Sequence, residues 1–351
     1  MKIIITGAAG FIGSHAAERF INRGCTVVGI DNLSRPGNVN NLSYLFNLAG
    51  SNFRFQYGDI RIASEMDRVF REHKDASVVI HEAGQVAVTT SVLDPRGDFE
   101  SNAFGTLNVL ECTRQYIPGA TFVFASTNKV YGGLEHLRVR EENRRYRYED
   151  RPNGVSEAEP IDFHSPYGCS KGAAEQYVRD YSRIFGLKSV VFRQSCIYGP
   201  RQYGMEDQGW VAWFTIASLL NRPVTVYGDG KQIRDLLWVE DLIDLYEGAI
   251  EKIGVAAGRI YNAGGGPSNT LSLLELIEIL EAELGRKITP GVADWRPGDQ
   301  RVFVADCAKA TKELGWKPAI SPREGVGRLI NWTRQARESV SETLRRKVAS
   351  Q

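Results

Sequence analysis

Residues 2–13 read Lys-Ile-Ile-Ile-Thr-Gly-Ala-Ala-Gly-Phe-Ile-Gly, and this stretch decides the fold. Lys2 to Thr6 is short, rich in β-branched residues and ended by glycine, which predicts a fully buried strand. The amphipathic run from Ser14 to Asn22 predicts a helix, and Thr26 to Ile30 predicts a second strand with Asp31 at its end. The stretch therefore opens a strand-helix-strand unit with the glycine spacing Gly-x-x-Gly-x-x-Gly between its first two elements.

The positions of the three glycines and of Asp31 can be explained by the geometry of dinucleotide binding. Glycines at positions 7, 10 and 13 let the backbone turn tightly and approach a pyrophosphate, while the helix N-terminus offers free N–H groups to the phosphates. Asp31, placed 18 residues after Gly13, can accept hydrogen bonds from both ribose hydroxyls, and its charge repels a 2′-phosphate. A glycine triplet alone is a common turn, but in this context it predicts dinucleotide binding, with NAD favoured over NADP.

The alternation of strands and helices continues along the chain and predicts an α/β fold built on a parallel, doubly wound Rossmann sheet. Further strands are predicted at 53–57, 77–81, 121–125 and 189–193, and further helices at about 64–73, 98–116 and 167–185. Ligands of such sheets bind at the carboxyl ends of the strands. Polar residues and glycines gather at those ends: Gly7, Asp31, Asp59, residues 81–85 and Thr127.

The chain is predicted to form two lobes. Residues 1–195 are expected to be the NAD-binding Rossmann domain that carries the catalytic residues. Residues 196–340 are expected to be mainly a smaller α/β substrate lobe, with some segments returning to the Rossmann domain, and residues 341–351 a frayed tail. The charged residues 133–160 are interpreted as a solvated loop, and their position just before Tyr167 leaves room for a lid.

Composition excludes several classes of protein. The 351 residues carry a formal net charge of +1 and are 42% hydrophobic, which gives no electrostatic case for a nucleic-acid or membrane partner. The five cysteines are scattered and never form a C-x-x-C pair, so neither a disulfide framework nor a metal site is predicted. This cysteine usage fits a reducing, cytoplasmic compartment.

A tyrosine and a lysine lie one helical turn apart in Ser165-Pro166-Tyr167-Gly168-Cys169-Ser170-Lys171. Residues at i and i+4 share a helix face, so the ammonium of Lys171 would favour the phenolate of Tyr167 and make it a base. The alternative is an ordinary surface helix. Thr127, at the end of a predicted strand, adds a hydroxyl to the set.

Together, the glycine motif, Asp31, Thr127 and the Tyr167/Lys171 pair resemble the extended short-chain dehydrogenase/reductase family over nearly the whole chain. The resemblance implies that Tyr167 is the acid/base, that Lys171 lowers its pKa and holds the ribose, and that Thr127 hydrogen-bonds the reacting hydroxyl. It also implies NAD as cofactor. The implied cofactor contacts are Gly7, Gly10, Phe11, Ile12, Gly13, Asp31, Asn32, Asp59, Ile60, Ala83, Tyr167 and Lys171.

The position after the catalytic threonine separates reactions within this family. Dehydratases of the family carry Asp-Glu there, whereas this chain has Asn128-Lys129, so the acid and base for elimination are missing. Long blocks, among them residues 83–91, 126–132, 162–174, 207–211 and 299–306, are similar to epimerases that invert C2 of a CDP-hexose. The implied activity is NAD-dependent epimerisation of a nucleotide sugar. The alternatives are a UDP-hexose 4-epimerase and, from another class, a non-catalytic NAD-sensing protein of the same fold.

The resemblance also implies a sugar-nucleotide pocket and, commonly, a homodimer or higher oligomer. Arg234 and Arg301 are candidates for the pyrophosphate because a guanidinium matches phosphate oxygens, with a surface salt bridge as the alternative for Arg301. Tyr227 is the candidate for stacking on the base, or else a core aromatic. The full set of predicted substrate contacts is Gln85, Thr127, Gln194, Gln208, Trp210, Tyr227, Arg234 and Arg301; Gln194 stands where the resemblance predicts histidine.

Overall fold

The computed structural model describes residues 1–296 and 299–349. Its strands are β1 (Lys2–Thr6), β2 (Thr26–Asp31), β3 (Phe53–Tyr57), β4 (Val78–His81), β5 (Thr121–Thr127), β6 (Val139–Glu141), β7 (Tyr146–Tyr148), β8 (Lys188–Gln194), β9 (Cys196–Tyr198), β10 (Thr225–Tyr227), β11 (Ile233–Trp238), β12 (Arg259–Ala263), β13 (Thr270–Ser272), β14 (Gly291–Ala293) and β15 (Val302–Phe303).

Its α-helices are α1 (Phe11–Asn22), α2 (Asn38–Ala49), α3 (Ala63–Glu72), α4 (Val88–Leu93), α5 (Pro95–Phe99), α6 (Gly105–Tyr116), α7 (Ser165–Phe185), α8 (Trp210–Leu219), α9 (Val239–Glu251), α10 (Ile253–Ala256), α11 (Leu273–Leu284), α12 (Ala308–Leu314), α13 (Pro322–Gln335) and α14 (Arg337–Ala349). Short 3₁₀ turns cover Gly50–Asn52 and Asn128–Tyr131, and a π-helical turn covers Glu100–Phe104. Within the described residues, no helix combines the length and apolar character needed to cross a membrane.

A seven-stranded parallel sheet organises the molecule, in the order β12-β8-β5-β4-β1-β2-β3. Strand β1 lies between β2 and β4, so the chain winds to one side through β2 and β3 and to the other from β4 onward. A crevice opens at such a reversal, outside the carboxyl ends of the strands. The predicted doubly wound sheet is confirmed, and it brings the ends of β1, β2, β4 and β5 to one edge.

Helices cover both faces of this sheet, which is why its strands are apolar without alternation. Ile3 and Ile5 of β1 point into a core shared with α1, α2 and α9, whereas Ile4 points into a core shared with α3, α6 and α7. All three side chains are fully buried. The isoleucine run after Lys2 is therefore explained by burial on two faces.

The C-terminal part builds smaller sheets beside the carboxyl edge. Strands β9, β11, β13 and β15 form one sheet and β10 pairs with β14, while α8, α11, α13 and α14 share a separate core. Strand β12 instead returns to the edge of the large sheet, where it pairs with β8. The second lobe is thus interrupted by a strand of the first.

Three expectations need correction. Residues 341–351 were expected to be frayed, but α14 continues to Ala349, because Val340 and Leu344 are buried in the C-terminal core; residues 350 and 351 lie outside the described residues. The segment 133–160 was expected to be a solvated loop, but it contains the antiparallel hairpin of β6 and β7, whose Tyr146 packs with Ile233, Val302 and Val304. The helix predicted across 98–116 begins at Pro95 and contains the π-helical turn.

Candidate active site

The glycine loop after β1 has room for nothing larger than glycine at two of its positions. A Cβ on Gly13 would lie 2.1 Å from the carbonyl oxygen of Gly7, and a Cβ on Gly7 would lie 2.7 Å from the backbone nitrogen of Ala83. Gly7 also has a positive φ of 70°, which L side chains rarely adopt. The loop therefore forms a bare backbone cradle at the N-terminus of α1, as a pyrophosphate requires.

The acid at the end of β2 is anchored at the same edge. One carboxylate oxygen of Asp31 accepts from the backbone nitrogen of Ala9 at 3.0 Å, and the other accepts from Leu33 N at 2.8 Å and Asn38 Nδ2 at 3.1 Å. Burial raises the pKa of Asp31, and these hydrogen bonds oppose the rise. Asp31 is held in one orientation toward the glycine loop.

A second carboxylate closes this end of the site. Asn32 Nδ2 donates to Asp59 Oδ2 at 3.0 Å, and Arg61 Nη2 pairs with the same oxygen at 2.7 Å. The Arg61 guanidinium lowers the pKa of Asp59 to about 2. Asp59 is therefore ionised, and it holds Asn32 beside the cavity.

A cavity of about 400 Å³ runs along this edge of the sheet. All of the predicted cofactor contacts line it, and so do three of the predicted substrate contacts, Gln85, Gln194 and Gln208. Its size is within the range of small-molecule sites. The cavity joins the glycine cradle to Tyr167 and Lys171, which a dinucleotide bound with its pyrophosphate on the cradle would need.

Tyr167 and Lys171 are buried, with exposed fractions of 8% and 6%, so the alternative of an ordinary surface helix is wrong. We expected Lys171 to lower the pKa of Tyr167. In the structure, burial raises that pKa to about 12, Asp98 adds to the rise, and Thr127 is the side chain that opposes it. The phenol is therefore protonated at neutral pH unless a further positive charge lies close to it.

The ammonium of Lys171 lies among opposite charges. It is 4.4 Å from the centre of the Phe124 ring. Burial lowers the pKa of Lys171 to about 8, and the carboxyl groups of Glu82, Asp98 and Glu175 oppose this decrease. Lys171 is consequently cationic at neutral pH.

Helix α7 is fixed at its start and along its buried face. Ser165 has a positive φ of 79° and Pro166 occupies the first turn, where its missing N–H costs nothing. The backbone nitrogen of Tyr167 donates to Ser91 Oγ at 3.1 Å, and Ser170 Oγ donates to Asp98 Oδ2 at 2.5 Å. These contacts set the position of the phenol.

A buried ion pair joins α7 to the sheet one turn further on. Arg193 Nη2 lies 2.6 Å from Glu175 Oε1, and Ser126 Oγ donates to Glu175 Oε2 at 2.7 Å. Both charged side chains are nearly inaccessible. The pair connects the helix that carries Tyr167 to β8 and to the end of β5, the strand that carries Thr127.

Sequence reasoning missed a hydrogen-bonded chain at the inner wall of the cavity. Gln194 Nε2 donates to Tyr246 Oη at 2.5 Å, and Tyr246 Oη donates to Glu82 Oε1 at 2.5 Å. Burial raises the pKa of Glu82 to about 7, and Lys171 opposes the rise. Glu82 directly follows β4 and Asp31 is the last residue of β2, so a position at the carboxyl end of a buried strand was a usable signal for Glu82.

Gln85 and Gln208 reach the cavity in different ways. The side chain of Gln85 donates to Asp98 Oδ1 at 2.9 Å and to the carbonyl oxygen of Ala87 at 2.7 Å. The backbone of Gln208 is paired in both directions with Met205. The side chain of Gln85 is thus fixed by the Asp98 carboxylate, which also accepts from Ser170.

Four predicted substrate contacts belong to the second lobe and are not among the residues that line this cavity: Trp210, Tyr227, Arg234 and Arg301. The Arg296 guanidinium, which sequence reasoning overlooked, lies 3.9 Å from the centre of the Tyr227 ring. Arg234 is already paired with Asp299 at 2.5 Å. Arg301 is exposed and lies 5.5 Å from the centre of the Tyr146 ring. Their roles in substrate binding stay predictions.

A doubly wound sheet with this glycine cradle, a terminal acid on β2 and a buried Thr-Tyr-Lys set is the architecture of the extended short-chain dehydrogenase/reductases. A family model described as GDP-mannose 4,6 dehydratase matches residues 4–329. The chain belongs to this family of epimerases and dehydratases, as its sequence motifs predicted.

Individual relatives support the same assignment. CDP-paratose 2-epimerase of Salmonella typhi is 46% identical over 338 residues, which cover 95% of this chain and 99% of that protein. The crystal structure of a UDP-glucose 4-epimerase of Thermotoga maritima with UDP-glucose matches with a TM-score of 0.82 and 33% identity, covering 96% of this chain and 99% of that one. A UDP-glucuronic acid 4-epimerase of Bacillus cereus, in complex with UDP-glucuronic acid and NAD, matches with a TM-score of 0.82 and 30% identity, covering 95% and 99%.

Proposed function

We propose that this protein is an NAD-dependent epimerase that inverts C2 of a CDP-hexose. CDP-paratose, converted to CDP-tyvelose, is the first candidate substrate, and CDP-glucose, converted to CDP-mannose, is the second. The observation that carries the proposal is the burial of Tyr167 and Lys171 side by side in the cavity that the glycine cradle opens. The choice of C2 and of cytidine rests on similarity to the Salmonella typhi enzyme.

The chain's own residues fit NAD. The cradle of Gly7, Gly10 and Gly13 would hold the pyrophosphate, and Asp31 and Asn32 would face the adenosine ribose. Asp59 and Ile60 would lie against the adenine, and Lys171 would hold the nicotinamide ribose. When bound, NAD accepts the hydrogen of C2 with its electron pair and later returns it, and its oxidised ring carries a positive charge.

Tyr167 handles the proton. Its phenolate takes the proton of the C2 hydroxyl as the 2-keto sugar forms, and it returns the proton when the carbonyl is reduced from the other face. Because burial raises the pKa of Tyr167 to about 12, the phenolate needs positive charge nearby. Lys171 is already in place at that value, so the oxidised cofactor would supply the further charge, while Thr127 hydrogen-bonds the reacting hydroxyl. The reaction ends without net oxidation.

The first rival is a UDP-hexose 4-epimerase, and the similarity to the Thermotoga maritima structure supports this alternative. It would use the same residues to invert C4 of the sugar instead of C2. The other rival is a non-catalytic NAD-sensing protein. The presence of both Tyr167 and Lys171, buried at the cavity, argues against that rival.

A panel of sugar nucleotides tests the proposal. The purified protein is incubated with CDP- and UDP-hexoses, and NMR locates the inverted carbon. We expect inversion at C2 of a CDP-sugar; inversion only at C4 of a UDP-sugar would establish the rival. A substrate deuterated at C2 should keep its label, whereas loss of the label to water would indicate enolisation.

We propose further that the protein is a homodimer and works in the cytoplasm. The mutually packed elements α5, the π-helical turn and α7 carry large exposed apolar side chains, with exposed fractions between 44% and 66%: Phe99, Phe104, Tyr177, Ile184 and Phe185. A second copy of this face would cover them. All five cysteines are free thiols, which suits a reducing compartment.

A further inference from the structure

Lys129 lies in the 3₁₀ turn that follows β5, two residues after Thr127, and no part of the proposed chemistry uses it. Its backbone nitrogen donates to Thr127 Oγ1 at 3.2 Å. Its ammonium reaches across to the second lobe, where Nζ lies 3.4 Å from Gln300 Oε1. Lys129 therefore links the catalytic hydroxyl to the lobe that is expected to hold the nucleotide.

The ammonium of Lys129 lies in an unusual electrostatic setting. Arg234 and Asp299 are both close enough to act on it, and they form an ion pair with one another at 2.5 Å. Burial and the charge of Arg234 lower the pKa of Lys129 to about 8, and Asp299 opposes the decrease. The lysine is still cationic at neutral pH. Among the residues that the structure describes, the hydrogen bond of its ammonium is the long contact to Gln300.

Lys129 is partly buried, and a cation whose ammonium bonds only to a neutral amide there is costly unless a ligand supplies opposite charge. Arg234 is also close by, but it is less available to bind an anion because Asp299 already neutralises its charge. An anionic group placed between Thr127 and Gln300 would remove the cost. The position suits an anion attached close to the carbon that reacts.

The chemistry of a C2 epimerase places such an anion there. In a sugar nucleotide, C1 carries the β-phosphate, and C2 is bonded directly to C1. Oxidation at C2 therefore brings the β-phosphate next to Thr127 and Tyr167. When C4 reacts, the anomeric carbon and its phosphate lie across the ring from the reacting centre.

We propose that Lys129 binds the β-phosphate of the nucleotide sugar and so fixes C2, rather than C4, beside Tyr167. This proposal rests on the proposed function, since it takes a nucleotide sugar as the substrate. Gln300 positions the ammonium: its Nε2 donates to the carbonyl oxygen of Gly132 at 2.5 Å, which leaves Oε1 directed at Lys129. Lys129 is thus a specificity-determining residue.

Calorimetric titration of the NAD-loaded protein with CDP and with CMP tests the contact, because the two ligands differ only in the β-phosphate. The wild type should bind CDP more tightly than CMP. Lys129→Met should weaken CDP binding about 10- to 100-fold, the range for a charge-assisted hydrogen bond, and leave CMP nearly unchanged. Lys129→Arg should retain most of the preference. Lys252→Met, which removes a lysine bonded to Leu314 O at 2.7 Å, is the control.

The outcomes separate the two proposals. Equal losses for CDP and CMP, or no loss for either in Lys129→Met, would overturn the β-phosphate contact. UDP and UMP are titrated in parallel: a wild type that prefers UDP refutes the choice of cytidine, and the UDP/UMP ratio then reports on Lys129 in the same way. Thermal unfolding and NAD content show whether a variant has folded, and Lys129→Gln replaces Lys129→Met if that variant has not.

Discussion

The hydroxyl of Tyr246 donates to Glu82 Oε1 at 2.5 Å, where Glu82 lines the cofactor cavity. Tyr246 belongs to α9 and Glu82 follows β4, so the bond ties the helix layer to the catalytic edge of the sheet. Gln194, at the end of β8, donates to the same hydroxyl. A carboxyl group therefore lies at the end of a hydrogen-bonded chain of side chains and faces the charge of Lys171.

Glu82→Gln should change how stability depends on pH. Burial raises the pKa of Glu82 from 4.5 to about 7, so the folded protein keeps a proton between those pH values that the unfolded chain has lost. The free energy of unfolding of the wild type therefore falls as pH rises through this window, by up to about 3 kcal/mol. The neutral glutamine should remove the fall. Urea denaturation between pH 4.5 and 8 measures it.

Glu313→Gln is the matched control for that experiment, because Glu313 also accepts from a tyrosine hydroxyl, that of Tyr261 at 2.7 Å, but does not line the cavity. Parallel stability profiles of wild type and Glu82→Gln would show that Glu82 is not the titrating group.

Tyr167→Phe should abolish most of the epimerase activity and leave the cofactor bound. The change removes only the hydroxyl that exchanges the proton, and a positioned acid/base contributes about 10²–10⁴-fold in rate. NMR of reactions that are stopped at set times gives the rate of epimerisation. The absorbance of the cofactor released on denaturation gives the NAD content. Unchanged activity would mean that another group is the base.

Gly13→Ala should eliminate NAD binding. A Cβ there would lie 2.1 Å from the carbonyl oxygen of Gly7, so the loop must open and the cradle is lost. The control is Gly248→Ala on α9, where a Cβ meets nothing within 4 Å and alanine is the better helix former. NAD content after purification distinguishes them. A Gly13→Ala protein with full NAD content would contradict the cradle's role.

Glu175→Ala should destabilise the protein by about 3–5 kcal/mol, because it leaves the Arg193 guanidinium buried without its partner. The double variant Glu175→Met with Arg193→Met should recover much of this loss, since it removes both charges. Urea midpoints measure both. Equal destabilisation by the single and double changes would indicate that packing, rather than charge, is responsible.

Ile184→Glu should convert a dimer to a monomer. Ile184 is 66% exposed beside Tyr177 and Phe185 on the face proposed for dimerisation, and a carboxylate there would have to be desolvated. Light scattering after size exclusion gives the mass. Val255→Glu places the same charge on a half-exposed valine of α10 and should leave the mass unchanged. A monomeric wild type would refute the proposed dimer.

Local motifs allowed the cofactor end of the molecule to be predicted from sequence. The buried run of β1, the glycines and Asp31 are adjacent along the chain, and their spacing follows directly from the strand and helix geometry. Tyr246 and Arg296 were missed because distant segments bring their partners to them, whereas Glu82 had a local signal, its place directly after a buried strand, that was not used. The helix over 341–349 was missed for a similar reason: Val340 and Leu344 hold α14 to the C-terminal core, and their burial depends on the packing of the rest of the lobe.

The return of β12 to the edge of the large sheet limits how this protein can be divided. A fragment that ended at residue 195 would leave the edge of β8 unpaired, and open edges of this kind promote aggregation. Segments on both sides of β12 build the second lobe. Exchanging that lobe between relatives to change the substrate therefore requires two grafts flanking Arg259–Ala263, and a single crossover would divide the cofactor sheet.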